Sequence, residues 1–116
     1  MKENKLLQLA QELAVDVINL AQKLKTKKEH SLADQIKRSG TSISANIAEG
    51  NHPQSKMDMI SKFEIALKEA SETENWLKVF NNSGLINEDD FSSIQNKVVK
   101  IKILLIHSIQ TLKSKQ

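Results

Sequence analysis

Met59–Phe80 reads MISKFEIALKEASETENWLKVF, and the fold turns on how its apolar residues are spaced. Met59, Phe63, Ala66, Ala70, Thr73, Leu77 and Phe80 recur at alternating steps of four and three. That is the seam of a helix packed on other helices, because an α-helix brings residues three and four apart onto one face. The middle of the seam is small, which lets a neighbouring backbone approach closely. Asn81-Asn82-Ser83-Gly84 then supplies turn residues that end the helix.

Three further segments share this periodicity. Upstream, Leu6, Leu9, Leu13, Val17, Leu20 and Leu24 form one stripe, widened by Ala10, Ala14 and Ala21. Lys25 to His30 reads as a charged connector, with Ser31 as the N-cap of a second helix and Asp34 three residues on. Leu32, Ile36, Ile43 and Ile47 form that helix's stripe, with Gly40 between Ile36 and Ile43. Gly50 is placed to close it in the left-handed conformation, before Pro53 forbids continuation. Ser55 with Asp58 and Asn87 with Asp90 repeat the capping pattern before the third and fourth helices. Phe91, Ile94, Val98, Ile101, Leu105 and Leu112 give the fourth stripe; Glu88, Asp89 and Asp90 lie at its start and Lys113 and Lys115 at its end, as the helix dipole favours. Short connections make successive helices antiparallel, so the expected fold is all-α: an antiparallel up-down-up-down four-helix bundle forming a single domain over residues 1–116.

Composition supports this and narrows function. The 116 residues include three glycines, one proline and no cysteine, a poor endowment for a turn-rich all-β chain. Area scaling gives a folded surface of roughly 6,400 Å² against about 19,000 Å² unfolded, enough burial for a core without staples. The absence of cysteine removes disulfides, thiolate zinc sites and cysteine nucleophiles. His30, His52 and His107 are scattered, with no i, i+4 ligand pair, phosphate loop or nucleophile elbow. No apolar run approaches the ~20 residues of a membrane span, and nothing resembles a signal core, so the expected location is cytoplasmic.

The fourth segment carries more apolar residues than one core stripe needs: Val99, Ile103, Leu104, Ile106 and Ile109 extend round the helix. A second buried face, at an interface between copies, accounts for the surplus; a broad core contact is the alternative. Charge is uneven. Residues 56–90 hold four lysines and eight acids, and residues 91–116 hold five lysines and no acid. Lys23, Lys25, Lys27 and Lys28 with Lys97, Lys100 and Lys102 form a candidate basic surface if the first and last helices are neighbours. Few aromatics and a single arginine leave little for base stacking or edge readout.

That arginine, Arg38, stands on one helix face with Ser42, Asn46 and Glu49. Its planar fork suits a bidentate carboxylate partner. Glu64, Glu69, Glu72 and Glu74 are the candidates on the third helix, where Glu69, Glu72 and Trp76 share a second stripe.

The run Arg38–Gly50 (RSGTSISANIAEG), followed by Gln54-Ser55-Lys56 and Lys62–Leu77 (KFEIALKEASETENWL), resembles the two signatures of the bacterial four helix bundle protein family, also called the 23S rRNA intervening-sequence protein family. The resemblance implies a bundle that assembles as a homopentamer, with no enzymatic activity attributed to it. Some members are encoded in insertions within 23S rRNA genes. A relative, the accessory variability determinant of diversity-generating retroelements, binds a reverse transcriptase and nucleic acid through a basic pentamer surface; this chain is lysine-rich and only modestly basic by comparison. Arg38, Ser42, Asn46, Glu49, Glu69, Glu72 and Trp76 belong to the signatures and are read as one buried or inter-subunit polar network. Were it buried, breaking one partner would cost about 3–5 kcal/mol. The expected function is a non-enzymatic homo-oligomeric platform for RNA or a nucleic-acid enzyme, with no cofactor, metal, membrane or known small-molecule ligand. The alternative is a protein–protein adaptor with no nucleic-acid role.

Overall fold

In a computed structural model, which describes the backbone of residues 2–115 and the side chains of residues 5–115, four helices follow one another: α1 (Lys2–Thr26), α2 (His30–Gly50), α3 (Lys56–Asn82) and α4 (Glu88–Ser114). Among the described residues there is no strand. Each helix packs on its neighbours round the ring, α1 on α2, α2 on α3, α3 on α4 and α4 on α1, and among the described residues no close backbone approach crosses the diagonals. The result is an up-down bundle of 48 × 21 × 20 Å, matching helices of about 40 Å at 1.5 Å per residue.

The predicted stripes form the core with small shifts. Leu6, Leu13, Val17, Leu20 and Leu24 of α1 are buried with Ala10 and Ala21, while Leu9 is only partly covered. On α3, Phe63, Ala66, Ala70, Thr73, Leu77 and Phe80 are buried, but Ile60 takes the place expected of Met59. On α4, Ile109 joins Ile94, Val98, Ile101 and Leu105 in the interior, and Phe91 and Leu112 lie at its margin. Of the other surplus residues of α4, Leu104 is half-buried against the core, whereas Val99, Ile103 and Ile106 are exposed. No described helix is long and apolar enough to cross a membrane.

Two caps form as expected. Ser55 Oγ accepts from the Asp58 amide at 3.0 Å, and Asn87 Oδ1 from the Asp90 amide at 2.7 Å. The third does not. The Glu29 amide donates back to the Leu24 carbonyl at 2.9 Å and the Lys28 amide to the Lys25 carbonyl at 2.9 Å, with Lys28 at φ 64°. This is a Schellman closure with lysine in the left-handed position that glycine usually fills. The Glu29 carbonyl then accepts from the Ala33 amide, so Glu29 is the N-cap and Ser31 already lies in the first turn of α2. The connector shrinks to residues 27–29 because one residue both ends α1 and begins α2. The same motif closes α3, with Gly84 at φ 75° and the Leu85 amide on the Phe80 carbonyl.

Gly50 corrects another expectation. It is the last residue of α2 and not a left-handed cap; Asn51 beyond it is right-handed at φ −76°. Its purpose is space. A Cβ on Gly50 would lie 2.6 Å from the Phe63 ring, and one on Gly40 would lie 2.7 Å from both Val17 methyls. Next to Gly40, the buried Ser39 hydroxyl accepts from Thr73 Oγ1 at 2.9 Å, tying α2 to α3 inside the core.

Gly40→Ala is expected to destabilise the fold by about 1–3 kcal/mol through overpacking, despite a helix-propensity gain of about 1 kcal/mol. Urea unfolding checks this, and Val17→Ala in the same chain should return part of the loss. Lys28→Gly should raise stability by about 1 kcal/mol, since it relieves a left-handed lysine.

Candidate interaction face

The close approach of α2 to α3 determines where the surface residues beside it meet. Arg38 adjoins the buried Ser39, so its side chain leaves α2 at the edge facing α3. Glu69 and Glu72 stand three residues apart on α3, hence on one face of that helix. Arg38 reaches both: Nη1 lies 3.1 Å from Glu69 Oε1, and Nη2 pairs closely with Glu72 Oε2. The fork therefore divides between two carboxylates and does not grip one, because a turn of helix presents both acids to it together. A single cation offsets the repulsion between two like charges.

Trp76 extends the cluster. Its indole Nε1–H donates to Glu72 Oε2 at 3.4 Å, and its ring stacks on Phe80 with centroids 6.1 Å apart. The other α2 residues do not join by hydrogen bonds. Ser42 Oγ donates to the Ser39 carbonyl and Asn46 Nδ2 to the Ser42 carbonyl, each at 2.9 Å, so both satisfy themselves on their own helix. Glu49 makes a separate bridge, 3.1 Å from Lys62 Nζ.

Sequence reasoning did not single out Lys62 or the Ser39–Thr73 bond. Ser39 sits inside the quoted signature and Thr73 in the heptad seam, a polar residue on an apolar stripe that is itself a signal of a buried partner.

Within one chain this face is not buried. The Arg38 side chain is 51% exposed, against 18% for Glu69 and 36% for Glu72. The cost of breaking a buried pair does not apply to the isolated chain; water screens these charges, and pairs of this kind contribute about 1 kcal/mol or less.

The seven candidate lysines do not form one free patch. Lys23 bonds Asp90 at 2.9 Å and Lys97 bonds Asp16 at 2.6 Å, both joining α1 to α4. Lys102 turns the other way, to Glu74 of α3 at 2.8 Å. Lys25 stands 4.0 Å from Asp34, and Lys27 Nζ donates to the Leu85 carbonyl at 3.1 Å. Lys28 closes α1, and Lys100 borders a groove between α1 and α4. Two acids of the acid-rich stretch 56–90, Glu74 and Asp90, are thus spatial partners of these lysines, and Asp16 and Asp34 are the others.

The geometry defines a class: a small helical bundle with an ion-paired, open face between its second and third helices. Residues 2–107 match the model of the 23S rRNA-intervening sequence protein family, and the chain belongs to that family. It is similar to a crystal structure from Bacteroides thetaiotaomicron VPI-5482, described as a protein with unknown function from the S23 ribosomal protein family. The two share 43% identity over 95% of this chain and 99% of that one, with a TM-score of 0.91. No curated protein matches the chain.

The Glu49 carboxylate, through its hydrogen bond and its charge, holds the Lys62 ammonium above its ordinary pKa, with Asp58 adding to the effect. A raised lysine pKa stabilises the fold below the unfolded value, and that contribution is lost as pH rises through the folded value. Glu49→Gln should therefore move the Lys62 titration down towards ordinary lysine and flatten the alkaline end of the stability profile, read by carbon NMR of the side chain and by unfolding. Arg38→Ala should cost the isolated chain about 1 kcal/mol or less in urea unfolding, in line with a solvated pair.

Proposed function

We propose that this chain is a non-enzymatic, cytoplasmic, homo-oligomeric bundle that acts by binding other proteins, its own copies first. The observation that carries the reading is the outer side of α4. Val99, Ile103 and Ile106 are 39%, 61% and 41% exposed in line along one helix, while the core is already complete without them. Scattered exposed aliphatic residues are ordinary, but a row on one helix is the mark of a surface that is covered in use. The family resemblance supports a pentamer as the assembly.

The ion pairs lend support to one of the two kinds of partner expected from the sequence. Lys23, Lys25, Lys97 and Lys102 face acids of the same chain, so releasing them to phosphates would break contacts that join the helices. This favours a protein–protein module over an RNA platform, although the family's name refers to 23S rRNA. The non-enzymatic reading is supported by the same economy: Arg38, Glu69 and Glu72 are bound to one another on an open face, where water is not excluded from a reacting group.

Native mass spectrometry at moderate salt is expected to give a multiple of the 13.1 kDa chain, five copies on the family resemblance. Ile103→Glu should shift the population towards single chains without loss of helical content. A purely monomeric wild type would sink the proposal. RNA binding with a steep inverse dependence on salt would replace it with the RNA-platform reading.

A further inference from the structure

Two faces of the bundle remain uncovered, and they lie on opposite sides. Because the helices pack only as neighbours round the ring, the α2–α3 face and the α4–α1 face cannot adjoin. The first carries Arg38, Glu69, Glu72 and the half-covered Trp76, flanked along α3 by exposed Ile65 and Val79. The second is a groove of about 490 Å³ where α1 and α4 are the most loosely packed pair. Its floor is Leu9, Ile103 and Leu104; its rim is Lys5, Gln8, Glu12 and Lys100.

We infer that the α2–α3 face of one copy seats on the α1–α4 groove of the next, so that Ile65, Trp76 and Val79 cover the apolar floor and Glu72 meets Lys100. The inference rests on the self-association proposed above and names the surfaces that perform it. Charge complementarity supports a second copy as the occupant. The groove rim holds two lysines against one acid, and neither Lys5 nor Lys100 has an ion pair among the described residues. The opposite face holds two carboxylates against one arginine. Each copy thus presents a small excess of either sign on opposite sides, each mixed with apolar side chains and each open to solvent.

The topology has a consequence for symmetry. A two-fold dimer joins one surface to itself, whereas this contact joins two different surfaces, which is the heterologous kind that generates rings when the rotation closes. It also assigns the signature residues a use. Arg38 holds Glu69 and Glu72 in place for a neighbour, and contact with that neighbour would remove the water that makes the cluster weak in an isolated chain.

The chain has no cysteine, so introduced thiols can pair only with each other. Chains bearing Glu72→Cys and chains bearing Lys100→Cys, co-expressed and then oxidised, are expected to yield disulfide-linked pairs of one chain of each kind, while either variant alone yields none. In parallel, Glu72→Lys and Lys100→Glu should each raise the concentration at which the assembly dissociates by about tenfold, and the two together in one chain should restore it. That restoration cannot arise within a chain, because the two positions lie on opposite faces. If the wild type is oligomeric but the Cys variants give no mixed pairs, or the double charge exchange gives no rescue, this pairing is overturned and self-association is left standing. A monomeric wild type overturns both.

Discussion

The absence of side chains at two positions of α2 is the constraint on which the bundle depends. Gly40 lets α2 settle against Val17 of α1, and Gly50 lets its end pass the Phe63 ring of α3. With Ala66 and Ala70 also small and buried, α2 lies close to both neighbours. That closeness brings Ser39 and Thr73 within a hydrogen bond of each other in the core. It also sets Arg38 beside Glu69 and Glu72 at the surface. The two hydroxyls also have carbonyl acceptors on their own helices, Glu69 for Thr73 and Ile36 for Ser39, so the bond between them marks the register of α2 on α3 at a polar point that is satisfied from both sides. The surface cluster thus inherits its geometry from the interior contact beneath it.

Space removed on one side of the bundle reappears on the other. α1 and α4 approach less closely than the other neighbouring helices and are joined at the surface by ion pairs, Lys97 with Asp16 and Lys23 with Asp90. Their looser fit leaves the groove floored by Leu9, Ile103 and Leu104. Two of the lysines expected as a binding surface, Lys23 and Lys97, hold this side together, while Lys102 and Lys25 pair with acids of α3 and α2. Their charge balance in sequence therefore says more about which helices adjoin than about what the molecule attracts.

Most of the fold was legible because helical periodicity is a local property. The apolar steps named nearly all the buried residues, and Ser55 and Asn87 announced their own caps. The failures occurred where a short-range signal competes with a contact it cannot see. Ser31 has the chemistry of a cap, but a Schellman closure at Lys28 starts α2 two residues earlier. Gly50 has the position of a C-terminal cap, but Phe63 across the interface explains it. The site shows the same division. Arg38, Ser42, Asn46 and Glu49 do share a helix face, yet only the packing of α3 shows that Arg38 joins two glutamates, Glu49 joins Lys62, and Ser42 and Asn46 turn back to their own backbone.

By itself the sequence determined four helices, their stripes, two of their caps, the surplus of apolar residues on α4 and the family, because each is written in spacing along one chain. Tertiary structure alone decided which charges meet, which glycines serve close approach, and that the exposed row on α4 borders a groove opposite the Arg38 cluster. Those properties depend on the distance between helices, and that distance is set by side-chain volume at the interface, which periodicity does not encode.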